Sequence, residues 1–214
     1  MNTRRAQATG QPNSTEESKG NLPTKKHRNH KYLKEEKAMK KVLVVVDMQN
    51  DFVDGALGSK EAVAIVPAVV KKINEFDGEI FVTYDTHFEN YMNTAEGKKL
   101  PVPHCIKGTA GWKLNGEVMK ALAAKKFTPV EKKTFGSVEL PAFIKETVGD
   151  DAFTVELIGL CTDICVVSNA LIIKANFPEN MIAVDATCCA GVTPEKHKAA
   201  LDTMRSCQID VAEA

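Results

Sequence analysis

The run Leu157-Ile-Gly-Leu-Cys-Thr-Asp-Ile-Cys-Val166 decides how this chain is read. Apolar residues from Phe153 to Ile158 predict a buried strand that ends at Gly159, and a helical pattern opens at about Asp163 and runs to Ala175. Strand, tight turn and helix make the repeating unit of parallel sheets, because a crossover must carry the chain back before the next parallel strand can start. Cys165 falls at the first turn of that helix, where the positive end of the helix dipole favours thiolate over thiol. The competing reading is a packed structural cysteine, the commoner fate of a free thiol.

Working outward, the same alternation recurs. Lys41-Val-Leu-Val-Val-Val46 is a continuous β-branched run, as expected of a strand buried on both faces. A helix is expected over 62–76, with Ile65, Val69 and Ile73 on one side, and strands over 80–84 and 127–131. Short helices are expected over 114–124 and 140–148, and further strands over 181–184 and 208–211. Thr193 as N-cap and Pro194 at the first helical position start a helix that runs to Ser206. Residues 85–113 show no periodicity, and a loop of that length in a compact domain is usually functional. Six alternations predict a three-layer α/β/α fold, a mainly parallel six-stranded sheet covered on both faces. Ligands of such sheets bind beyond the carboxyl ends of the strands. Asp47, Asp85, His87, Lys132 and Cys165 all fall at those ends.

Composition narrows the class. Residues 1–40 hold ten Lys/Arg against four Asp/Glu, and residues 41–214 hold eighteen against twenty-four. The first segment has too few apolar residues to offset chain entropy and is read as a disordered basic extension, residues 1–38, with the domain spanning 39–214. It lacks the apolar core of a secretory signal. Lys25-Lys-His-Arg28 offers a nucleic-acid tail as a minor alternative. No run of 18 apolar residues exists to span a membrane. The six cysteines fit a reducing cytoplasm better than a disulfide framework, and Cys161 and Cys165 are spaced C-x3-C, unlike the C-x-x-C of dithiol oxidoreductases.

Asp47 follows the first strand directly and opens Asp47-Met-Gln-Asn-Asp51-Phe52; a carboxylate desolvated there is a usable base or a turn cap. Lys132 and Lys133 close the third strand before Thr134-Phe135, and alternation sends them to opposite faces. Asp85-Thr-His87 puts two donors on one side of an extended segment. With His104 they form a donor set for Zn²⁺, Mn²⁺ or Fe²⁺, although a Pro-rich loop can also hold a structural histidine.

Together, Asp-Met-Gln-Asn-Asp-Phe, Lys-x-x-Phe and Gly-Leu-Cys-Thr-Asp-Ile-Cys-Val resemble the cysteine hydrolases of the isochorismatase-like superfamily, nicotinamidase branch. The resemblance covers residues 40–211. It implies an isochorismatase-like (Rossmann-like) fold and a catalytic triad of Asp47, Lys132 and Cys165, with Lys132 preferred over Lys133 by spacing to Phe135. It also implies an oxyanion hole from the backbone of Cys161 and Cys165, with a cis Leu160–Cys161 peptide. Asp85, His87 and His104 become metal ligands, Glu96 a fourth, and zinc the expected ion with manganese or iron as alternatives. That metal would bind a pyridine nitrogen. Phe52 is expected to line the substrate pocket and Trp112 to line it as well or to sit in the core; Cys105 is expected to point away from the metal. The implied reaction is nicotinamide to nicotinate and ammonia through a cysteine thioester, in NAD salvage. Hydrolysis of another small amide or carbamoyl compound, and a non-catalytic metal- or ligand-binding protein, are the competing readings. A small-molecule substrate and a cytoplasmic homo-oligomer are expected, with no nucleic acid or membrane partner.

Overall fold

The computed structural model of the chain describes residues 39–213; the basic extension read in residues 1–38 lies outside them. In chain order the elements are β1 (Lys40–Val46), α1 (Asn50–Val53), α2 (Lys60–Glu75), β2 (Glu79–Asp85), α3 (Ala95–Lys99) and α4 (Gly116–Leu122). Then come β3 (Phe127–Lys132), α5 (Leu140–Val148), β4 (Phe153–Leu160), α6 (Val167–Asn176), β5 (Met181–Ala190), α7 (Pro194–Ser206) and β6 (Asp210–Ala212). All six strands are parallel, in the order β3-β2-β1-β4-β5-β6.

β1 shows why the sheet is covered on both sides. Val42, Val44 and Val46 pack into one core with Ile144 of α5, Ile173 of α6 and Met204 of α7. Leu43 and Val45 pack into a second core with Val69 and Ile73 of α2 and Val118 of α4. Burying each such side chain contributes about 1.5–3 kcal/mol, which is why the unbroken apolar run must be central. α2 is aimed by Ser59, whose hydroxyl accepts the Ala62 N–H at 3.0 Å.

The strand order reverses between β1 and β4, so the loops after these two neighbours diverge and open a crevice. Asp47 follows β1, and the Cys165 turn follows β4. Val46 lies opposite Gly159 in the register. Gly159 has φ 116°, and a Cβ there would sit 2.1 Å from the Val46 carbonyl oxygen, so only glycine lets the strand ends approach this closely.

Several boundaries differ from the sequence expectation. β4 continues through Gly159 to Leu160. β5 runs to Ala190 rather than stopping at Val184, which places Cys188 and Cys189 within the strand, buried in opposite cores. The strand survives its polar stretch because Asp185 is met by Lys72 at 2.8 Å and by the Thr187 hydroxyl at 2.6 Å. α4 starts late because Asn115 caps the Glu117 N–H at 3.0 Å, while Leu114 bridges back to Gln49. The 85–113 segment contains a 3-10 turn, Tyr91–Asn93, and the five-residue α3, both too short to leave a period.

Candidate active site

Asp47, Gln49 and Asp51 of the Asp47–Phe52 motif each have a separate job in the structure. Asp47 leaves β1 in the left-handed region, φ 47°, and its carbonyl accepts the Gln49 N–H at 2.7 Å. Thr83, on β2, donates its hydroxyl to Asp47 Oδ1 at 2.6 Å and accepts the Asp47 N–H at 3.2 Å. Gln49 grips the Asp85 backbone from both sides, accepting its N–H at 2.8 Å and donating to its carbonyl at 2.9 Å. Asp51 accepts the Cys105 N–H at 2.7 Å, which pins the loop bearing His104. Phe52 stands over the His104 ring, 5.4 Å between centroids.

Lys132 ends β3 directly opposite Asp85. Its buried ammonium lies 2.7 Å from Asp47 Oδ2, 3.3 Å from Asp85 Oδ1 and 3.5 Å from Cys165 Sγ. Lys133 turns outward and stacks over the Phe88 ring at 5.6 Å. The pleat therefore brings one lysine to the cluster and sends the next to the surface.

Burial would strip the charge from Lys132, but Asp47, Cys165 and Asp85 outweigh it and raise its pKa. Burial raises the Asp47 carboxyl, against the opposing pull of Lys132. Burial raises the Cys165 thiol well above its usual value, Asp47 adds to the rise, and Lys132 only partly offsets it. Burial thus works against the thiolate that a helix dipole would favour at Cys165. The physical reason is twofold: the cysteine is 4% exposed, and Thr162–Val166 is a wider π turn rather than the first turn of an α-helix.

That turn is held tightly. The Leu160–Cys161 peptide is cis. The Cys161 carbonyl accepts both the Ile164 and Val166 N–H groups, at 3.0 and 3.1 Å. Asn169, fully buried, donates to the Cys165 carbonyl at 2.8 Å and accepts the Ser137 N–H at 2.9 Å, tying the turn to the β3–α5 loop.

Asp85, His87 and His104 converge as a buried group able to hold a metal ion. The His104 Nδ1 lies 2.8 Å from the Val102 carbonyl and donates to it, which turns Nε2 toward Asp85 Oδ2 at 3.5 Å. His87 Nε2 is 3.0 Å from the same oxygen yet makes no hydrogen bond. A buried imidazole nitrogen without a hydrogen-bond partner, facing carboxylates, is a position that a cation would satisfy. Glu96 Oε1 stands farther off, 3.7 Å from both histidines. Tyr91 packs edge-on against both rings. Cys105 is buried in the core beside the cluster and is not part of it.

Above these groups lies a cavity of about 290 Å³. Its wall is Phe52, Leu57, Leu100, Phe135, Ile164 and Val192; Asp85, Glu96, His104, Cys161 and Cys165 also face it, with Lys196 at its edge. Trp112 is not in that wall. It lines a separate recess with Tyr84, and its indole N–H reaches Thr86 Oγ1 at 2.9 Å. Thr83, Gln49, Tyr91 and Asn169 were not read from the sequence as site residues. Thr83 carried a signal, since it lies two residues before Asp85 on the same side of a strand. Leu57, Leu100 and Val192 carried none, because they reach the cavity from three separate loops.

An isochorismatase domain model matches residues 41–214. An isochorismatase family protein of Bacillus subtilis, PncA, is 33% identical over 147 residues, 62% of this chain and 78% of that protein. The nicotinamidase/pyrazinamidase of Mycobacterium tuberculosis is 26% identical over 189 residues, 80% of this chain and 97% of its own length. The crystal structure of the B. subtilis nicotinamidase/pyrazinamidase PncA superposes with a TM-score of 0.71 at 28% identity, covering 82% of this chain and all of that one.

Proposed function

The chain belongs to the isochorismatase family and is an amidohydrolase of it, and we propose that it is a nicotinamidase working through a Cys165 thioester. The observation that carries this reading is the Lys132 ammonium standing within 3.5 Å of both the Asp47 carboxylate and the Cys165 sulfur. A purely structural cysteine has no use for a buried acid and a buried base beside it. The same convergence argues against a non-catalytic binding protein.

In the proposed mechanism Asp47 takes the Cys165 proton as the sulfur attacks the carboxamide carbon. Lys132 stays charged throughout and offsets the negative charge shared by Asp47 and the sulfur. The backbone N–H groups of Cys161 and Cys165 are assigned to the developing oxyanion. Asp47 returns its proton to the departing ammonia, leaving the acyl thioester, then takes a proton from water as that water adds to the acyl carbon, and gives it back to the Cys165 sulfur as the C–S bond breaks and nicotinate is released. Asp85, His87 and His104, with Glu96 at longer reach, would hold a divalent ion, zinc in the first instance, whose chemistry there is to bind a pyridine nitrogen. Phe52, Phe135 and Ile164 supply apolar walls for a flat ring and exclude water from the thioester. The nicotinate formed would re-enter NAD synthesis.

Ammonia release from nicotinamide, with Cys165→Ala and a chelated sample in parallel, tests the reading. Release that needs both the thiol and the metal is expected. Lys196 at the cavity edge favours a second reading, a small amide or carbamoyl compound carrying an anionic group. Turnover of such a compound in preference to nicotinamide would replace the first reading with the second.

A further inference from the structure

We infer that Thr83 is a positioning residue that selects which oxygen of Asp47 receives the Cys165 proton. The inference rests on the proposed role of Asp47 as the base. A carboxylate has two equivalent oxygens, and a buried one that can rotate would present either of them to the thiol. In this structure the two are made different. Oδ1 accepts the Thr83 hydroxyl at 2.6 Å, and the same hydroxyl oxygen accepts the Asp47 N–H at 3.2 Å, so one side chain grips both the carboxylate and the backbone of the base. Oδ2 instead makes a 2.7 Å ion pair with the Lys132 ammonium. That ammonium also lies 3.5 Å from Cys165 Sγ, so it links Oδ2 to the sulfur.

Thr83 is placed for this by the sheet. Val45 pairs with Val82, which brings Thr83 beside the end of β1. A Thr on a strand has a stiff χ1, so its hydroxyl holds one direction. Both Thr83 and Asp47 are fully buried, so no water competes for the bond. In the transfer the Cys165 S–H bond breaks and an O–H bond forms on Oδ2, while the Thr83 proton remains on its own oxygen. Without Thr83, Oδ1 becomes a second free acceptor, and the carboxylate turns between the two.

The test compares Thr83→Val, Thr83→Ala and Thr83→Ser with Asp47→Asn, each loaded with metal. Two readouts are taken per metal-loaded protein: kcat and KM for nicotinamide, and the rate at which iodoacetamide alkylates Cys165, followed on its peptide by mass spectrometry. The alkylation rate reports proton removal from Cys165 whatever the substrate is. Thr83→Val and Thr83→Ala are expected to lose between about 10- and 100-fold in both kcat and alkylation rate with KM within about 2-fold, a share of what a general base supplies. Thr83→Ser, which keeps the hydroxyl, is expected within about 3-fold of the parent. Thr83→Val and Thr83→Ala that alkylate at the parent rate, even with a lowered melting temperature, overturn the inference and leave Thr83 structural. A Thr83→Ser variant as impaired as Thr83→Ala overturns it too. If Asp47→Asn alkylates and turns over normally, the role of Asp47 itself is wrong, an outcome separate from an active Thr83→Val beside an inactive Asp47→Asn.

Discussion

Replacing Lys132 by methionine removes one charge from a buried set of three acidic groups and keeps most of the side-chain volume. At an effective dielectric of about 20, a unit pair at 2.7 Å, as for Asp47, amounts to roughly 6 kcal/mol before desolvation, and one at 3.3 Å, as for Asp85, to roughly 5 kcal/mol. Desolvation takes back part of this, and removing one partner of a buried pair costs about 3–5 kcal/mol. The chain can escape that cost by protonating Asp47, whose carboxyl is already raised by burial. Held protonated through neutral pH, Asp47 cannot accept the thiol proton. Lys132→Met should therefore lose at least about 100-fold in kcat, the lower end of what general-base catalysis supplies. The sign of the stability effect follows from the same shift. A carboxyl whose folded pKa lies above its unfolded value of about 3.9 stabilises below that value, and the contribution is lost as pH rises through the folded pKa. Lys132→Met pushes that upper limit higher, so the variant should be more stable at pH 5 than at pH 7, relative to the parent. Ammonia release and denaturant unfolding at both pH values check the two halves. Lys133→Met, which alters only the surface, should leave turnover within about 2-fold. Full activity in Lys132→Met, or equal damage from Lys133→Met, would refute the assignment of Lys132.

Chelation should abolish turnover, and adding zinc to the stripped protein should change the fluorescence of Trp112, the sole tryptophan, because its indole hydrogen bond ends on Thr86 between Asp85 and His87; a silent titration with full metal uptake would show that the loop does not move. His104 is lowered by burial but raised more by Asp85, the Val102 carbonyl and Glu96, a net rise. Protons should therefore compete for its Nε2 from above pH 6.5 downward, and metal affinity measured by calorimetry should fall between pH 8 and pH 6. Gly159→Ala should cost more than about 2 kcal/mol in urea unfolding, since alanine is strained at φ 116° and its methyl meets the Val46 carbonyl. Lys72→Met should cost about 1 kcal/mol after screening of its partly exposed pairs with Glu156 and Asp185. Asp185 is lowered by Lys72 and Thr187 against burial, so it stabilises above about pH 3.9 and loses that effect as pH falls; the variant should show a flatter acid limb, and an unchanged limb would remove Asp185 from the account.

The readable parts of this protein are those with a local cause. The α5 and α7 limits were legible to the residue, because an apolar face and, for α7, a Thr-Pro start are local features. β5 was cut short at Val184, because the sequence around Asp185 does not reveal a lysine arriving from α2. Trp112, close in sequence to the metal loop, reads equally as pocket wall or as core, and its ring packs against Tyr84. The strand–turn–helix reading around Cys165 is local, but the π turn and the burial of the sulfur are not legible in it.

By itself, then, the amino-acid order determined the alternation of strand and helix, the double-sided burial of the sheet, and the residue types at the strand ends, since periodicity and burial are set within a few residues. Only the tertiary structure decided which lysine is buried, which oxygen of Asp47 is gripped by Thr83, and how deeply the Cys165 sulfur is buried. Those outcomes depend on distances of about 3 Å between residues 33 to 85 positions apart, and on the loss of water from all of them at once.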